Sequence, residues 1–393
     1  MISKRLEEIG EVDLEHLLVN SVAEGKTIEY KAALPSNSDA DKKEFLADVS
    51  SFANTAGGDL IFGIDEAQGA PVGIPGLAIS DSDLDVRRLD SIINDGLEPR
   101  VRFTTRPIQR AGKLPALIVR TERSWIGPHR VVFKGHDKFY ARNSAGKYPM
   151  DVSELRSAFT LASSVPERVR RFREDRIAKL RENKTPVHLV AGASRTVLHC
   201  IPLESFARTV QYDVLRYSDP SNSVKFPPLV SGSGWGVRIN LDGAVTHSGG
   251  PSSSMSYTQL FRNGAIEAVE AYWLNVSRSG GTRTIQSSAM EWGILEHFTV
   301  LLEIQKELGV NTPIAVALTL TETRGLAIAL DMIDPFERVM QITEENLFLP
   351  ETVVESFDES PAKILKPLFD LIWNACGYAK SKNFDDRGNW VGR

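Results

Sequence analysis

The chain has 393 residues, of which 42% are hydrophobic and 25% charged, enough for two or three domains with a real core. Its longest apolar runs, such as 313–318, fall far short of the roughly 20 residues that cross a bilayer, and the opening MISKRLEEIG has no signal-peptide apolar stretch, so a cytoplasmic protein is expected. Two cysteines, Cys200 and Cys376, without CxxC spacing or a nearby histidine pattern, argue against a zinc site or a disulfide framework.

The net charge of -5 is unevenly spread. Residues 1–186 hold 29 Lys+Arg against 28 Asp+Glu, and residues 187–393 hold 17 against 23. Within the first part, Arg100 to Lys147 carries twelve basic residues against Glu122 and Asp137, a net of 12 − 2 = +10 in 48 residues. Nucleic-acid binding depends on local potential, so this run is the expected electrostatic footprint.

In chain order, Leu14, Leu17, Leu18 and Val22 predict an amphipathic helix over 13–23, and 27–31 reads as a strand after a corner at Glu24-Gly25. Phe45, Leu46, Val49, Phe52 and Ala53 predict a buried helix over 39–54, capped by Ser38 or Asp39 and ended by Gly57-Gly58. Residues 60–64 form a fully apolar strand that runs into Asp65-Glu66, and a further helix spans 80–97. The basic run contains β-type stretches at 101–105, 114–121 and 130–142, placing the positive charge on strands and hairpin loops. A helix over 151–162 and a second one starting at Pro166 are expected; the segment 165–183 has seven Arg or Lys against four Asp or Glu and reads as a solvated connector or dimer contact. Beyond Pro186 come strands to about residue 275, with an Asn263-Gly264 hairpin turn and a Gly232–Gly236 turn, then a helix over 287–308, strands at 314–321 and 326–330, and a final helix over 361–376. The predicted architecture is α+β throughout: a mixed sheet with helices over residues 1–163, a charged connector helix over 164–186, and a second α+β domain over 187–393, with a sensing or assembly role.

The densest chemistry lies in Glu24-Gly-Lys-Thr-Ile-Glu29-Tyr-Lys31. Residues two apart on a strand share a face, so Glu29 and Lys31 point the same way, with Glu24 on the adjoining turn. If strand 60–64 pairs beside 27–31, Asp65 or Glu66 supplies a third acid, and the set Glu24, Glu29, Asp65 or Glu66 forms a Mg²⁺ or Mn²⁺ site beside a phosphate-stabilising Lys31. On spacing alone Glu24, Glu29 and Lys31 read more readily as exposed strand and turn residues in surface ion pairs. For nucleic acid, Arg120, Arg123, Arg130, Lys134, Lys138 and Arg142 are the expected backbone contacts, with Trp125 stacking an unpaired base or anchoring its loop. His129, beside Arg130, is a further phosphate contact or a structural histidine.

Two acids five apart followed by lysine, together with Phe52-Ala53-Asn54-Thr55, Gly57-Gly58 and the turn Gly63-Ile64-Asp65-Glu66, resemble the Schlafen AlbA_2 domain family. The resemblance runs over about residues 12–160, including Phe139-Tyr140-Ala141-Arg142, and stops before 186. It implies metal-dependent cleavage of structured RNA, especially tRNA, with a role in antiviral (antiphage) defence. The alternative that it implies is a non-catalytic DNA-binding transcriptional regulator. In nuclease members the third acid falls on the second turn acid, where Glu66 stands here in place of Asp. Animal members resemble a horseshoe of two related lobes; a single lobe here implies that a homodimer supplies the second arm.

Overall fold

The structure is a computed structural model that describes every residue except 3, 5, 79–80, 191–193, 207–210, 232–234, 251–252, 278–282, 330–339 and 393. The Gly232–Gly234 part of the expected turn, Ser80 and Leu330 therefore lie outside the described residues. The fold is α+β, and the chain divides into two compact units, Met1–Val165 and Pro166–Arg393.

The N-terminal unit contains α1 (Glu11–Val19), β1 (Ile28–Lys31), α2 (Asp39–Ala53), β2 (Gly58–Phe62), β3 (Asp65–Ala67), β4 (Ala70–Gly73), α3 (Ser82–Gly96), β5 (Leu97–Glu98), β6 (Phe103–Arg110), β7 (Lys113–Thr121), β8 (Arg130–Phe133), β9 (His136–Asn143) and β10 (Gly146–Pro149). Its main sheet has the order β1-β2-β7-β6, with β1 and β2 parallel and Glu29 opposite Leu60, as the apolar strand required. A second sheet runs β10-β9-β8-β5, and the β-type run 130–142 folds as a hairpin turning at Lys134 and Gly135, both at positive φ.

Alternation along these strands sorts the side chains. Ile28, Tyr30 and Ile61 point to the core formed with Leu14 and Leu17 of α1, while Leu60 and Phe62 point to the core formed with Phe45, Val49 and Phe52 of α2. Glu29 and Lys31 therefore lie on the α2 side of β1. Ser38 caps α2 by accepting a hydrogen bond from the Asp41 backbone N–H (3.1 Å). The helix stops at Asn54 rather than at the glycines, which have other work. Gly57 has φ +72°, and a Cβ on Gly58 would meet the Phe52 ring at 2.1 Å and the Thr27 carbonyl at 2.9 Å.

The expected break at Pro166 is absent: α4 runs continuously from Val152 to Arg181, with Pro166 inside it. Val165 and Val169 are buried on either side of the proline, and that burial offsets the backbone hydrogen bond that proline cannot donate.

In the C-terminal unit, β11 (Arg195–Pro202), the one-turn α5 (Pro220–Ser223), β12 (Trp235–Ile239), β13 (Gly243–Gly250), β14 (Ser253–Phe261), β15 (Ile266–Glu270), β16 (Val276–Ser277), β17 (Arg283–Ile285), α6 (Ser287–Leu308), β18 (Ile314–Thr321), β19 (Ala327–Ile328), β20 (Asn346–Phe348), β21 (Thr352–Val354) and α7 (Pro361–Ala375) follow. The central sheet has the order β12-β13-β14-β15-β11-β18-β20, with β21 also on β18. One face packs with α6 and α7 in the large core that includes Leu198, Ile266, Phe298 and Phe369. The opposite face, with Val197, Tyr257 and Val269, is covered by Ile177 and Leu180 of α4.

The charged second half of α4 is therefore not a solvated connector. Arg173 and Arg176 are buried; Arg176 makes a two-pronged pair with Glu267 (2.7 and 2.8 Å), whose carboxylate also accepts from Tyr257 Oη (2.7 Å) and lies 3.0 Å from His199 Nε2. Both cysteines are buried thiols, and burial raises the pKa of each. No helix among the described residues is long and apolar enough to cross a membrane.

Candidate functional site

The chemistry of the N-terminal unit collects where β1, α2 and β9 meet. Glu29 and Lys31 share the α2 side of β1, and Lys31 Nζ donates to Glu29 Oε1 (2.6 Å). The other Glu29 oxygen is engaged by Arg142 of β9, which also reaches Asp48 Oδ1 (3.2 Å) and the Gly25 carbonyl (3.2 Å), with its guanidinium 4.3 Å from the centre of the Phe52 ring. Asp48, on α2, also accepts from Lys147 Nζ (2.8 Å), and its Oδ2 is buried without a hydrogen bond, facing Lys31 Nζ at 3.9 Å. Lys147 further pairs with Glu44.

The two lysines lie shallower than Glu29 and Asp48, and the third cation, Arg142, lies deepest. The side chains of Asp48 and Glu29 are 1% and 11% exposed, against 33% for Lys31 and 17% for Lys147, while Arg142 is fully enclosed. Burial pushes the Glu29 carboxyl up, but the Lys31 hydrogen bond and the Arg142 charge outweigh it and hold Glu29 below the usual glutamate range. Lys31 is held above the usual lysine range, because Asp48 and Glu29 overcome its desolvation. Asp48 is raised by burial against the pull of Lys147 and Lys31.

Glu24 lies at the rim. Its Oε1 accepts the Tyr30 backbone N–H (2.7 Å), and its own N–H donates to the Gly69 carbonyl (2.6 Å), while the Gly69 N–H donates to Glu66 Oε2 (2.7 Å). Glu24 and Glu66 thus flank one turn, and burial, with help from the Glu29 and Glu66 charges, raises the Glu24 pKa. Asp65 is exposed on β3.

A divalent ion does not fit this arrangement. Both Glu29 oxygens are taken by cationic side chains, and among the described residues no group of three Asp, Glu, His or Cys side chains is spaced to hold a metal. The three acids expected to converge, Glu24, Glu29 and Asp65 or Glu66, share a neighbourhood but not a coordination sphere.

The basic run is also largely paired by folding. Arg120 grips buried Asp59 through two bonds (2.7 and 2.9 Å) and the carbonyls of Ile2 and Lys4, so it ties down the N-terminal segment. Arg130 pairs with Glu98 (2.7 Å) and Asp137 (3.1 Å), Lys134 with Asp39 (2.8 Å), Arg110 with Glu11 (3.7 Å), and Lys113 with Glu11 and Glu15. Arg106 donates to the carbonyls of Leu6 and Ile9. Except for Asp137, the acids meeting these cations come from outside residues 100–147, which is why a local count overstated the positive field. Lys138 and Arg100 are exposed.

Trp125 is 5% exposed, with Arg123 stacked 4.2 Å from its ring centre; it anchors its loop and is not presented to a base. His129 is fully buried, with Nδ1 2.6 Å from the Pro99 carbonyl and its pKa lowered by burial, so it does not reach phosphate.

Sequence reasoning missed Asp48 and Lys147, and placed Arg142 on an outer surface when it is the buried keystone. The available signal was Asp48 itself, the single charge in the buried stretch 45–53, which needs a partner wherever it lies.

Residues 24–151 match the family model described as Schlafen, AlbA_2, and this part of the chain is a Schlafen AlbA_2 domain. No curated protein matches the chain. Among solved structures, it is similar to the DIP2311 protein from Corynebacterium diphtheriae, at 18% identity and a TM-score of 0.26 over 37% of this chain and 27% of that one. It is also similar to the N-terminal domain of a RecG-related protein from Nitrosomonas europaea, at 28% identity and a TM-score of 0.22 over 28% of this chain and 70% of that one. The chain thus spans about a quarter of the DIP2311 chain.

Proposed function

We propose that the Schlafen AlbA_2 domain of this chain binds nucleic acid by its phosphate backbone, with Lys31 and Lys147 at the centre of the contact and the exposed Lys138 of β9 as a further contact. One observation carries the reading: Glu29 and Asp48 lie deep while Lys31 and Lys147 lie outward, so a phosphate that displaces the exposed Glu44 from Lys147 meets two ammonium groups before those acids. The AlbA_2 family points the same way, to nucleic-acid binding. Structured RNA such as tRNA is the first ligand to test and duplex DNA the alternative, which would suit a non-catalytic regulator. At low salt both lysines should contribute, and Lys31→Ala or Lys147→Ala should each lower the slope of log affinity against log salt by about 1. Absence of binding to tRNA and to DNA at low salt would defeat the proposal.

A second reading, a Mg²⁺- or Mn²⁺-dependent endoribonuclease in antiphage defence, is favoured by the meeting of Glu24, Glu29 and Lys31 on one patch with Glu66 across the Gly69 turn. It requires Glu29 to exchange a cationic neighbour for the ion. Incubation of the protein with tRNA and Mn²⁺ or Mg²⁺, beside Glu29→Ala and a chelator control, separates the two readings: discrete cleavage lost in both controls supports the nuclease, and intact bound tRNA supports the binder. A homodimer supplying the second arm is part of the proposal, and light scattering of a monomer that still binds tRNA removes it.

A further inference from the structure

By two-residue alternation His136, Lys138, Tyr140 and Arg142 share one face of β9, and the bond from Arg142 to Asp48 turns that face to α2. Outward from the buried Arg142, the seam between β9 and α2 therefore carries Tyr140, Lys138 and His136 in turn. The Tyr140 hydroxyl lies 2.8 Å from His136 Nε2, and the two rings stack with their centres 6.0 Å apart. Tyr140 feels the charges of Glu44 and Lys147, and His136 those of Lys138 on its own strand and Lys43 on α2. The cluster around Lys31 and Lys147 thus continues along α2 as a basic seam that reaches the hairpin between β8 and β9.

Folding leaves the outer end of this seam without a counter-charge. Among the described residues neither Lys43 nor Lys138 forms an ion pair, and the acids around them are engaged: Asp39 by Lys134 (2.8 Å), Asp137, on the other face of β9, by Arg130 (3.1 Å), and Glu44 by Lys147. Across the hairpin Phe133 stands opposite His136 and brings no charge. His136 is half-buried, and its pKa is lowered by burial first and then by Lys138 and Lys43, against the pull of Asp137. Two ammonium groups and an imidazole that meet without an acid suit an anion from outside, which would pair with both lysines and stabilise the protonated ring.

We propose that Lys43, His136 and Lys138 form a second phosphate site on the surface that Lys31 and Lys147 begin, and that His136 takes up a proton from solvent when the phosphate binds. The inference rests on the nucleic-acid reading of the AlbA_2 domain and adds to it a second place on the ligand and a proton. Lys147 stands opposite Arg142 in the strand register, so Lys138 and His136 lie 142 − 138 = 4 and 142 − 136 = 6 residues further along β9. At about 3.3 Å per residue that is roughly 13–20 Å, which one phosphate does not span. The ligand is therefore a polynucleotide backbone and not a single nucleotide.

Fluorescence anisotropy of the full chain with labelled tRNA and with labelled duplex DNA, at constant ionic strength and at pH 7.5 and 5.5, tests the assignment. Affinity should rise about tenfold from the higher pH to the lower, because binding that takes up a proton strengthens as protons are supplied. In His136→Gln the rise should shrink to under about twofold, while His136→Lys, charged at both pH values, should bind at pH 7.5 as tightly as the parent does at pH 5.5. Lys43→Ala should lower the slope of log affinity against log salt by about 1, and Lys31→Ala should weaken binding but keep the pH response. Binding that is flat with pH in the parent, or a pH response that survives in His136→Gln, overturns this proposal and leaves the nucleic-acid reading standing. No binding to either ligand at either pH overturns both.

Discussion

Arg142→Met tests whether the cluster at β1, α2 and β9 is organised as described. Methionine keeps much of the buried stem and removes the guanidinium that joins Glu29, Asp48 and the Gly25 carbonyl. In the parent, two enclosed carboxylates face three cations; in the variant they face Lys31 and Lys147 alone, and Asp48 keeps contacts of 2.8 Å to Lys147 and 3.9 Å to Lys31. Breaking a buried pair by removing one partner costs about 3–5 kcal/mol, and since Glu29 keeps Lys31 and Asp48 keeps both lysines the loss should sit near 3 kcal/mol. For a unit of this size that corresponds to a fall of roughly 6–12 °C in the transition of the N-terminal unit. Calorimetry of the full chain, with hydrogen exchange at α2 and β1 amides to assign the transition, reads it out. Asp48→Asn in both backgrounds completes a double-mutant cycle, with a coupling energy of at least about 1 kcal/mol expected. A loss below about 1 kcal/mol, or additive costs, would show that Arg142 is not the keystone.

Other outcomes follow from the same geometry. Gly58→Ala drives a methyl into the Phe52 ring and toward the Thr27 carbonyl, and should cost about 1–3 kcal/mol by denaturant unfolding with no change in slope. Arg176→Met strands Glu267 in the C-terminal core with Tyr257 and His199 as its remaining partners; a loss of about 3–5 kcal/mol is expected, with hydrogen-exchange protection falling in the second half of α4. Burial raises the Glu270 pKa to about 7 in the folded chain, against about 4.3 when unfolded, so the folded state holds a proton across that interval that the unfolded chain has released, and its contribution to stability falls as pH rises through it. Glu270→Gln should therefore be more stable than the parent at pH 8, by about 4 kcal/mol as an upper bound, with about 1 kcal/mol of that advantage left at pH 5 and none below about pH 4. His297, held neutral by burial, tilts the profile the other way below pH 6.5, so the comparison is made between variant and parent at each pH.

Local pattern carried much of the fold. The period of Phe45, Val49 and Phe52 set α2, the apolar run after Gly58 set β2, and the two-residue alternation of Glu29 and Lys31 set their common face. The helix over 287–308 and the Asn263-Gly264 hairpin were equally legible, because hydrogen-bonding geometry and side-chain direction repeat over a few residues. Where a competing local rule applied, it misled: proline signalled a helix start at 166, and the buried valines on either side kept α4 whole.

Charge was not legible in this way. Twelve basic residues in 48 read as an open positive surface, but acids from distant parts of the sequence fold onto most of them: Glu11 and Glu15 onto Lys113, Asp39 onto Lys134, Asp59 onto Arg120, Asp48 onto Arg142 and Lys147. A Coulomb partner is chosen by proximity in space, and proximity between residues about a hundred positions apart is a property of the packed chain. The residue types for the chemistry were therefore fixed by the sequence, while tertiary structure alone decided that Glu29 lies beneath Lys31 and against the fully enclosed Arg142, because only packing sets which charges are desolvated and which face the solvent.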